Sequence, residues 1–155
     1  MRIHDLIKRP AITCHVNDNL ERAARLMWEH DIGAVIVVRD DGKATGVITD
    51  RDICMAAFTQ GRMIADLLVH SAMATHLVTV HPDQSIEDAE RAMTEHQLHR
   101  IPVVDAENHP LGMVTLNDLA LESVDPDTHM KQGRARVANA MVAVARPRYP
   151  GRVAA

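Results

Sequence analysis

The chain has 155 residues, a formal net charge of −4 and 46% hydrophobic residues, but only three aromatic residues, so its core must be aliphatic. This length allows one ordinary domain or two small ones that share a core, because isolated halves of about 60 residues bury too little surface to be secure. No stretch approaches the ~20 apolar residues of a membrane helix and the N-terminus lacks a signal-peptide pattern, so we expect a cytoplasmic protein without a membrane span.

The chain contains an internal repeat. At an offset of 66 residues, 13–52 align with 79–118 without a gap. We therefore predict a first repeat at 1–62, a second at 63–124 and a tail at 125–155 that is partly helical or disordered. Identical pairs in this register include Thr13 with Thr79, His15 with His81, Met27 with Met93, Gly46 with Gly112, Thr49 with Thr115 and Asp52 with Asp118.

The first repeat has the pattern strand, helix, strand, strand, helix. Asn19 is the expected N-cap of a helix whose apolar positions, such as Leu20 and Met27, share one face at 3.6-residue spacing. Asp40 to Lys43 is the expected turn of a hairpin. The remaining elements are expected as strands at 11–15, 34–38 and 46–49 and a second helix at 50–60.

The second repeat follows the same order after a short helix near 64–68. Ser85, with Asp88 three residues later, predicts a capped helix start. Pro102 lies in the first strand of the second hairpin and has no N–H to donate, so we expect an edge or an irregularity there. The last helix is expected at about 116–123.

Two heptapeptides, Gly46–Asp52 and Gly112–Asp118, follow the hairpins at strand-to-helix junctions. A helix N-terminus presents free N–H groups and a positive dipole end, so a phosphate can bind there, with the threonine hydroxyl as a further donor. The aspartate three residues on can accept hydrogen bonds from ribose hydroxyls. The same residue types are also ordinary helix caps, but two copies in register favour nucleotide binding.

This order of elements and these two heptapeptides resemble the tandem CBS domain family, or Bateman module, over about residues 1–124. The resemblance implies an α+β fold whose two repeats pack through a pseudo-twofold, and a flat homodimer of four repeats. It also implies an adenine nucleotide ligand, such as AMP, ADP, ATP or a related adenosyl compound. Thr49 and Asp52 would serve one cleft, and Thr115 and Asp118 the other.

His99 and Arg100 resemble the segment that contacts phosphates in nucleotide-sensing members of that family. The matching residues of the first repeat are Gly33 and Ala34, so the clefts should be unequal, although Arg51 can compensate. The sequence leaves open which cleft His99 and Arg100 serve. Ile101 and Met113, on the second hairpin, complete the expected ligand-binding set.

The leading functional hypothesis is a regulatory module that binds an adenine nucleotide and acts on a separate, unidentified partner protein. We predict no enzyme, since the chain has neither a Walker loop nor a Gly-x-Ser-x-Gly elbow. One alternative is a homodimeric interaction or stress-response module that binds no nucleotide, in which the threonines and aspartates are caps. A minimal nucleotide-processing enzyme is the other alternative.

The cysteines and histidines predict no metal site and no required cofactor. Cys14 and Cys54 form no Cys-x-x-Cys pair, and we interpret both as buried free thiols. The ten histidines include no His-Glu-x-x-His motif.

The tail is basic: residues 128–155 contain six basic and no acidic residues. A helix is predicted from Arg134 to Ala145, with Val137, Met141 and Val144 on one face. We expect it to pack against the acidic body of this or a partner chain, and not to bind nucleic acid.

Overall fold

The computed structural model describes residues 1–124 and 131–145, which form two α+β repeats and a final helix. The first sheet has the order β1-β2-β3, with β1 parallel to β2 and β2 antiparallel to β3. The second sheet pairs β4 and β5 antiparallel. The elements are α1 (Ile3–Leu6), β1 (Thr13–His15), α2 (Leu20–His30), β2 (Ala34–Val38), β3 (Ala44–Thr49), α3 (Asp50–Gln60), α4 (Ile86–His96), β4 (Arg100–Val104), β5 (Pro110–Thr115), α5 (Leu116–Val124) and α6 (Lys131–Ala145).

The first helix of each repeat is capped as the sequence predicts. The Asn19 side chain accepts a hydrogen bond from the Arg22 N–H at the start of α2. At the start of α4, Ser85 and Asp88 form a capping box, in which the Ser85 hydroxyl and N–H both donate to Asp88 Oδ2. These bonds hold the pKa of the Asp88 carboxyl below its usual range. Between the repeats, the expected helix near 64–68 is a single 3₁₀ turn, Ile64–Asp66.

The leading segment of each repeat packs into the core of the other repeat. Ile3 and Leu6 of α1 lie in the apolar cluster of the second repeat, and the Ile3 N–H donates to the Gln84 carbonyl. Leu67 and Val69, near the start of the second repeat, lie in the cluster of the first. The packing units are therefore each built from both halves of the sequence, which ties the two repeats into one body.

The two hairpins also meet directly. Ile36, Ala44 and Val104 form a small apolar cluster between the sheets. At the hairpin ends, the Ala44 N–H donates to the Asn108 carbonyl, and the Asn108 side-chain amide donates to the Ala44 carbonyl. These contacts join the two sheets at their hairpin ends.

Pro102 explains why the second sheet has two strands and the first has three. Its counterpart in the first repeat, Ile36, donates its N–H to the Ile12 carbonyl and so holds β1 in the sheet. Proline has no N–H to make the equivalent bond to the segment around Val80, and only an isolated bridge between Val80 and Val103 remains there. The prediction of an edge or an irregularity at Pro102 is confirmed as an edge, because β4 pairs with β5 alone.

The last described helix, α6, packs against α4 and α5 of the second repeat. Its buried side chains are Val137, Ala140 and Val144, whereas Met141 is 46% exposed. Met141 lies about 40° from Val137 around the helix, at the edge of the predicted apolar face, while Ala140, which the sequence analysis did not include, is buried. The helix begins at Lys131, and the rest of the predicted tail, 125–130 and 146–155, lies outside the described residues.

The contrast between Ile36 and Pro102 yields a stability test. We expect Ile36→Pro to lower the free energy of unfolding by at least about 2 kcal/mol, because it removes a buried donor from the Ile12 carbonyl and reduces packing. The reverse change, Pro102→Val, should alter stability by less than about 1 kcal/mol, because the added donor and the more flexible unfolded chain oppose each other. Urea unfolding measures both, and equal effects would contradict this explanation of the missing strand.

Candidate functional site

The two heptapeptides form equivalent capping boxes at the starts of α3 and α5. Asp52 Oδ2 accepts hydrogen bonds from the Thr49 N–H at 2.9 Å and from the Thr49 hydroxyl at 2.7 Å. Asp118 Oδ2 does the same with Thr115, at 2.9 and 2.6 Å. Each aspartate thus has one carboxylate oxygen committed to the helix start. Any ligand must use the other oxygen.

A cavity of about 420 Å³ lies between the repeats. The second repeat contributes five of the predicted site residues to its lining, which are His99, Arg100, Met113, Thr115 and Asp118. Facing them from the first repeat are Gly33 and Ala34, the sequence counterparts of His99 and Arg100. The question that the sequence left open has a geometric answer: His99 and Arg100 line the same cavity as Thr115 and Asp118.

The glycine opposite Arg100 has a steric role. A Cβ placed on Gly33 would lie 3.1 Å from Arg100 Nη1 and 3.3 Å from Asp50 Oδ2. The guanidinium of Arg100 therefore extends across the repeat boundary to the backbone of the first repeat. A larger residue at position 33 would have to displace it.

The remaining predicted residues do not line this cavity. Thr49 and Asp52 lie at the start of α3, and Arg51 is exposed on the same helix. Ile101 is fully buried in the apolar core of the second repeat. The structure thus brings five of the nine predicted site residues together and leaves four elsewhere.

The strand edge that faces the cavity carries free main-chain groups at Met113. In the first sheet, Ile36 and Val47 form a non-hydrogen-bonded antiparallel pair, so the N–H and C=O of Val47 both point away from β2. Pro102 and Met113 occupy the same register in the second sheet, so the N–H and C=O of Met113 point away from β4. No other described residue bonds to them, and Met113 lines the cavity.

The matching edge in the first repeat is closed. The Val47 N–H donates to the Ala74 carbonyl, and the Ala74 N–H donates to the Val47 carbonyl. The approach is close, since a Cβ on Gly46 would lie 2.5 Å from the Ala74 oxygen. The chain itself therefore occupies at Val47 the position that is open at Met113, and the two halves are unequal in a way that the sequence did not reveal.

Sequence reasoning missed two cations of the cavity, Lys8 and Arg9. Lys8 Nζ lies 3.7 Å from the second oxygen of Asp118, Oδ1, and Arg9 donates to the His30 carbonyl at 3.1 Å. Lys8, Arg9 and Arg100 place three cationic side chains in the lining, which we call the basic wall, and Asp31 and Asp118 also line the cavity. Extending the alignment of the two repeats toward the N-terminus would have drawn attention to Lys8 and Arg9. At the offset of 66, they align with the uncharged Ala74 and Thr75, so this charge is present in one repeat only.

The two cysteines differ in environment. Cys14 is buried, and burial raises the pKa of its thiol to about 12. Cys54 is exposed on α3, so its interpretation as a buried thiol is wrong. Its equivalent in the second repeat, Ala120, is partly buried, which shows that exposure here depends on what covers the helix.

Two absences hold for the part of the chain that the structure describes. No group of three or more histidine, cysteine, aspartate or glutamate side chains is placed to hold a metal ion. None of the helices in 1–124 and 131–145 combines the length and the apolar character needed to cross a membrane.

The model of the CBS domain matches this sequence twice, over residues 3–58 and 64–125. The chain belongs to the CBS domain family. The CBS domain-containing protein YhcV of Bacillus subtilis is 36% identical over 126 residues, which cover 81% of this chain and 88% of that protein. The predicted family and the predicted α+β architecture are confirmed.

Two solved CBS structures show what similar folds hold. The CBS domain pair of protein MJ0100, in complex with 5′-methylthioadenosine and S-adenosyl-L-methionine, is 26% identical with a TM-score of 0.71, covering 79% of this chain and 94% of that one. Hypoxic Response Protein I, with two coordinated zinc ions, is 30% identical with a TM-score of 0.70, covering 78% and 98%.

The capping boxes yield a second stability test. Asp52→Ala and Asp118→Ala should each lower the free energy of unfolding by about 1 kcal/mol, because each removes the acceptor of a threonine N–H and hydroxyl at a helix start. The exposed contact between Lys8 and Asp118 should add little to this difference. Urea unfolding measures both variants. A loss confined to one of them would show that the two helix starts are not equivalent.

Proposed function

We propose that this CBS domain pair binds one phosphorylated adenosine ligand per chain, in the cavity between the repeats, and regulates a separate partner protein in response. The observation that carries the proposal is the open strand edge at Met113 beside a basic wall. Its counterpart at Val47 is already bonded to Ala74. One site per chain follows from this difference.

The cavity offers a complementary group to each part of such a ligand. The N–H and C=O of Met113 form a donor and acceptor pair that can bond the edge of an adenine. Asp118 Oδ1, which the capping box leaves unused, can accept hydrogen bonds from ribose hydroxyls. The phosphates would then lie toward Lys8, Arg9 and Arg100, whose charges favour an anion.

The basic wall also separates ligand classes. Protein MJ0100 is similar in fold and is in complex with S-adenosyl-L-methionine and 5′-methylthioadenosine, so the adenosyl group is shared with the ligand proposed here. A sulfonium cation would be repelled by Lys8, Arg9 and Arg100. 5′-Methylthioadenosine is an uncharged thioether that gives these cations no anion to bind, so we expect AMP, ADP or ATP to bind more tightly than either compound.

The role that follows from ligand binding in this cavity is regulation and not catalysis. Among the described residues, no nucleophile paired with a base lines the cavity, and the relative YhcV is also a CBS domain-containing protein. A ligand that contacts both repeats would change their relative orientation. A partner protein could then bind one orientation in preference to the other.

Titration calorimetry on protein freed of bound nucleotide tests the site. We expect one ligand per chain, and Arg100→Ala should weaken AMP binding by about ten- to a hundredfold, the value of a charge-assisted contact of about 1.5 to 3 kcal/mol. Binding of adenosine should be nearly unchanged by this variant. Arg51→Ala is the matched control, since Arg51 lies at the other helix start and should leave both ligands unaffected.

The aspartates provide an internal comparison. Asp118→Ala should weaken AMP and adenosine alike, since the ribose is common to both, whereas Asp52→Ala should weaken neither. If the wild-type protein binds none of AMP, ADP, ATP or adenosine, the proposal fails and the module that binds no nucleotide becomes the better interpretation. If Asp52→Ala weakens binding as much as Asp118→Ala, the cavity is not the site.

A further inference from the structure

Asp118 has one carboxylate oxygen that its helix start does not use, and this oxygen faces Lys8. Thr115 donates its N–H and its hydroxyl to Asp118 Oδ2, at 2.9 and 2.6 Å. The Lys8 ammonium lies 3.7 Å from the other oxygen, Oδ1. The oxygen that the proposed site offers to a ribose is therefore already paired with a cation, and a ligand that bonds Oδ1 competes with Lys8 for it.

The first repeat contains no such pair. At the offset of 66, Asp118 corresponds to Asp52 and Lys8 corresponds to Ala74. Ala74 carries no charge and bonds through its main chain to Val47. Among the described residues, no cation forms an ion pair with Asp52. The paired aspartate thus occurs in the half of the molecule whose strand edge is open.

The other two cations of the basic wall have different neighbours. Arg9 donates to the His30 carbonyl at 3.1 Å. Arg100 extends to the first repeat, where its Nη1 atom lies 3.1 Å from the position of a Cβ on Gly33. Within the described chain, Lys8 is therefore the member of the basic wall that pairs with the proposed ribose acceptor.

The backbone next to Lys8 is held against the second repeat, whereas the Lys8 side chain extends into solvent. Leu6 is buried in the apolar cluster of that repeat, and Ile7 packs against the same cluster. The approach of Ile7 to β5 is close, since a Cβ on Gly112 would lie 2.7 Å from Ile7 Cγ2. The Lys8 side chain is 61% exposed on a flexible four-carbon stem. Its ammonium can therefore move from Asp118 to a nearby anion without a change in the backbone.

We propose that Lys8 is a specificity-determining residue, which pairs with Asp118 Oδ1 and disfavours adenosine compounds that carry no phosphate. A ribose hydroxyl bonds less strongly to a carboxylate that a cation already neutralises, and an uncharged ligand offers the displaced ammonium no new partner. A phosphate offers one: the ammonium moves to the phosphate oxygens, and Oδ1 becomes available to the ribose. This inference rests on the proposed nucleotide site and adds a rule for the ligands that the site selects.

Titration calorimetry of Lys8→Met with AMP and adenosine separates this role from that of an ordinary phosphate contact. AMP should bind about tenfold more weakly, because a charge-assisted contact to the phosphate is lost. Adenosine should bind up to about fivefold more tightly, the range expected from loss of an exposed ion pair, because Asp118 Oδ1 is no longer neutralised. The two affinities should thus change in opposite directions, unlike in Arg100→Ala, for which adenosine binding should be nearly unchanged.

Two controls isolate the ion pair. Lys43→Met is the same substitution at an exposed lysine that does not line this cavity, and it should change neither affinity. The ligand 2′,3′-dideoxyadenosine lacks the hydroxyls that would bond to Asp118, so Lys8→Met should not tighten its binding. Circular dichroism and urea unfolding establish that Lys8→Met is folded, and Lys8→Gln replaces it if it is not.

Several results would overturn the inference while the nucleotide site stands. An unchanged adenosine affinity in Lys8→Met would reduce Lys8 to a phosphate contact at most. Equal weakening of AMP and adenosine would show that Lys8 supports the cavity as a whole. Tighter binding of 2′,3′-dideoxyadenosine, by as much as that of adenosine, would show an effect that does not act through Asp118. If the wild-type protein binds neither AMP nor adenosine, the proposed function fails and this inference fails with it.

Discussion

The edge of each hairpin presents main-chain N–H and C=O groups that must be bonded to protein, to water or to a ligand. The difference between the two repeats depends on how each one meets this requirement. In the first repeat, Ala74 bonds to both groups of Val47. In the second, the equivalent groups of Met113 face a cavity. The same fold element thus serves as an internal contact in one half and as a candidate recognition edge in the other. An internal repeat does not by itself produce two equal sites.

Much of the fold could be predicted because it follows from local patterns that occur twice. The helix caps at Asn19 and Ser85 and the hairpins depend on residues within a few positions of one another. The edge at Pro102 was predictable for the same reason, since a missing donor is a property of the residue itself. These features have a physical cause that is complete within a short segment.

Other features depend on contacts between distant segments and left no local pattern. The bonds between Val47 and Ala74 join the first hairpin to a segment near the start of the second repeat, and no local pattern predicted that pairing. Lys8 and Arg9 precede the part of the repeat that aligns most clearly, so their place in the cavity was missed. The exposure of Cys54 was misjudged because it depends on which helix face another helix covers, and apolar character alone does not specify that.

The short loop from Asp31 to Gly33, which follows α2, has two surfaces. One surface lines the cavity between the repeats, and the other lines an outer cavity of about 530 Å³ between α2 and α3. The loop starts with Asp31 in the left-handed region, at φ 51°, so its path is set by a residue whose conformation is restricted. Thermodynamic linkage then applies: if an occupant of one surface favours a particular loop conformation, it alters affinity at the other surface, and the effect is equal in both directions. Because this three-residue loop lines both cavities, binding at the inner face can change affinity at the outer face, and the reverse.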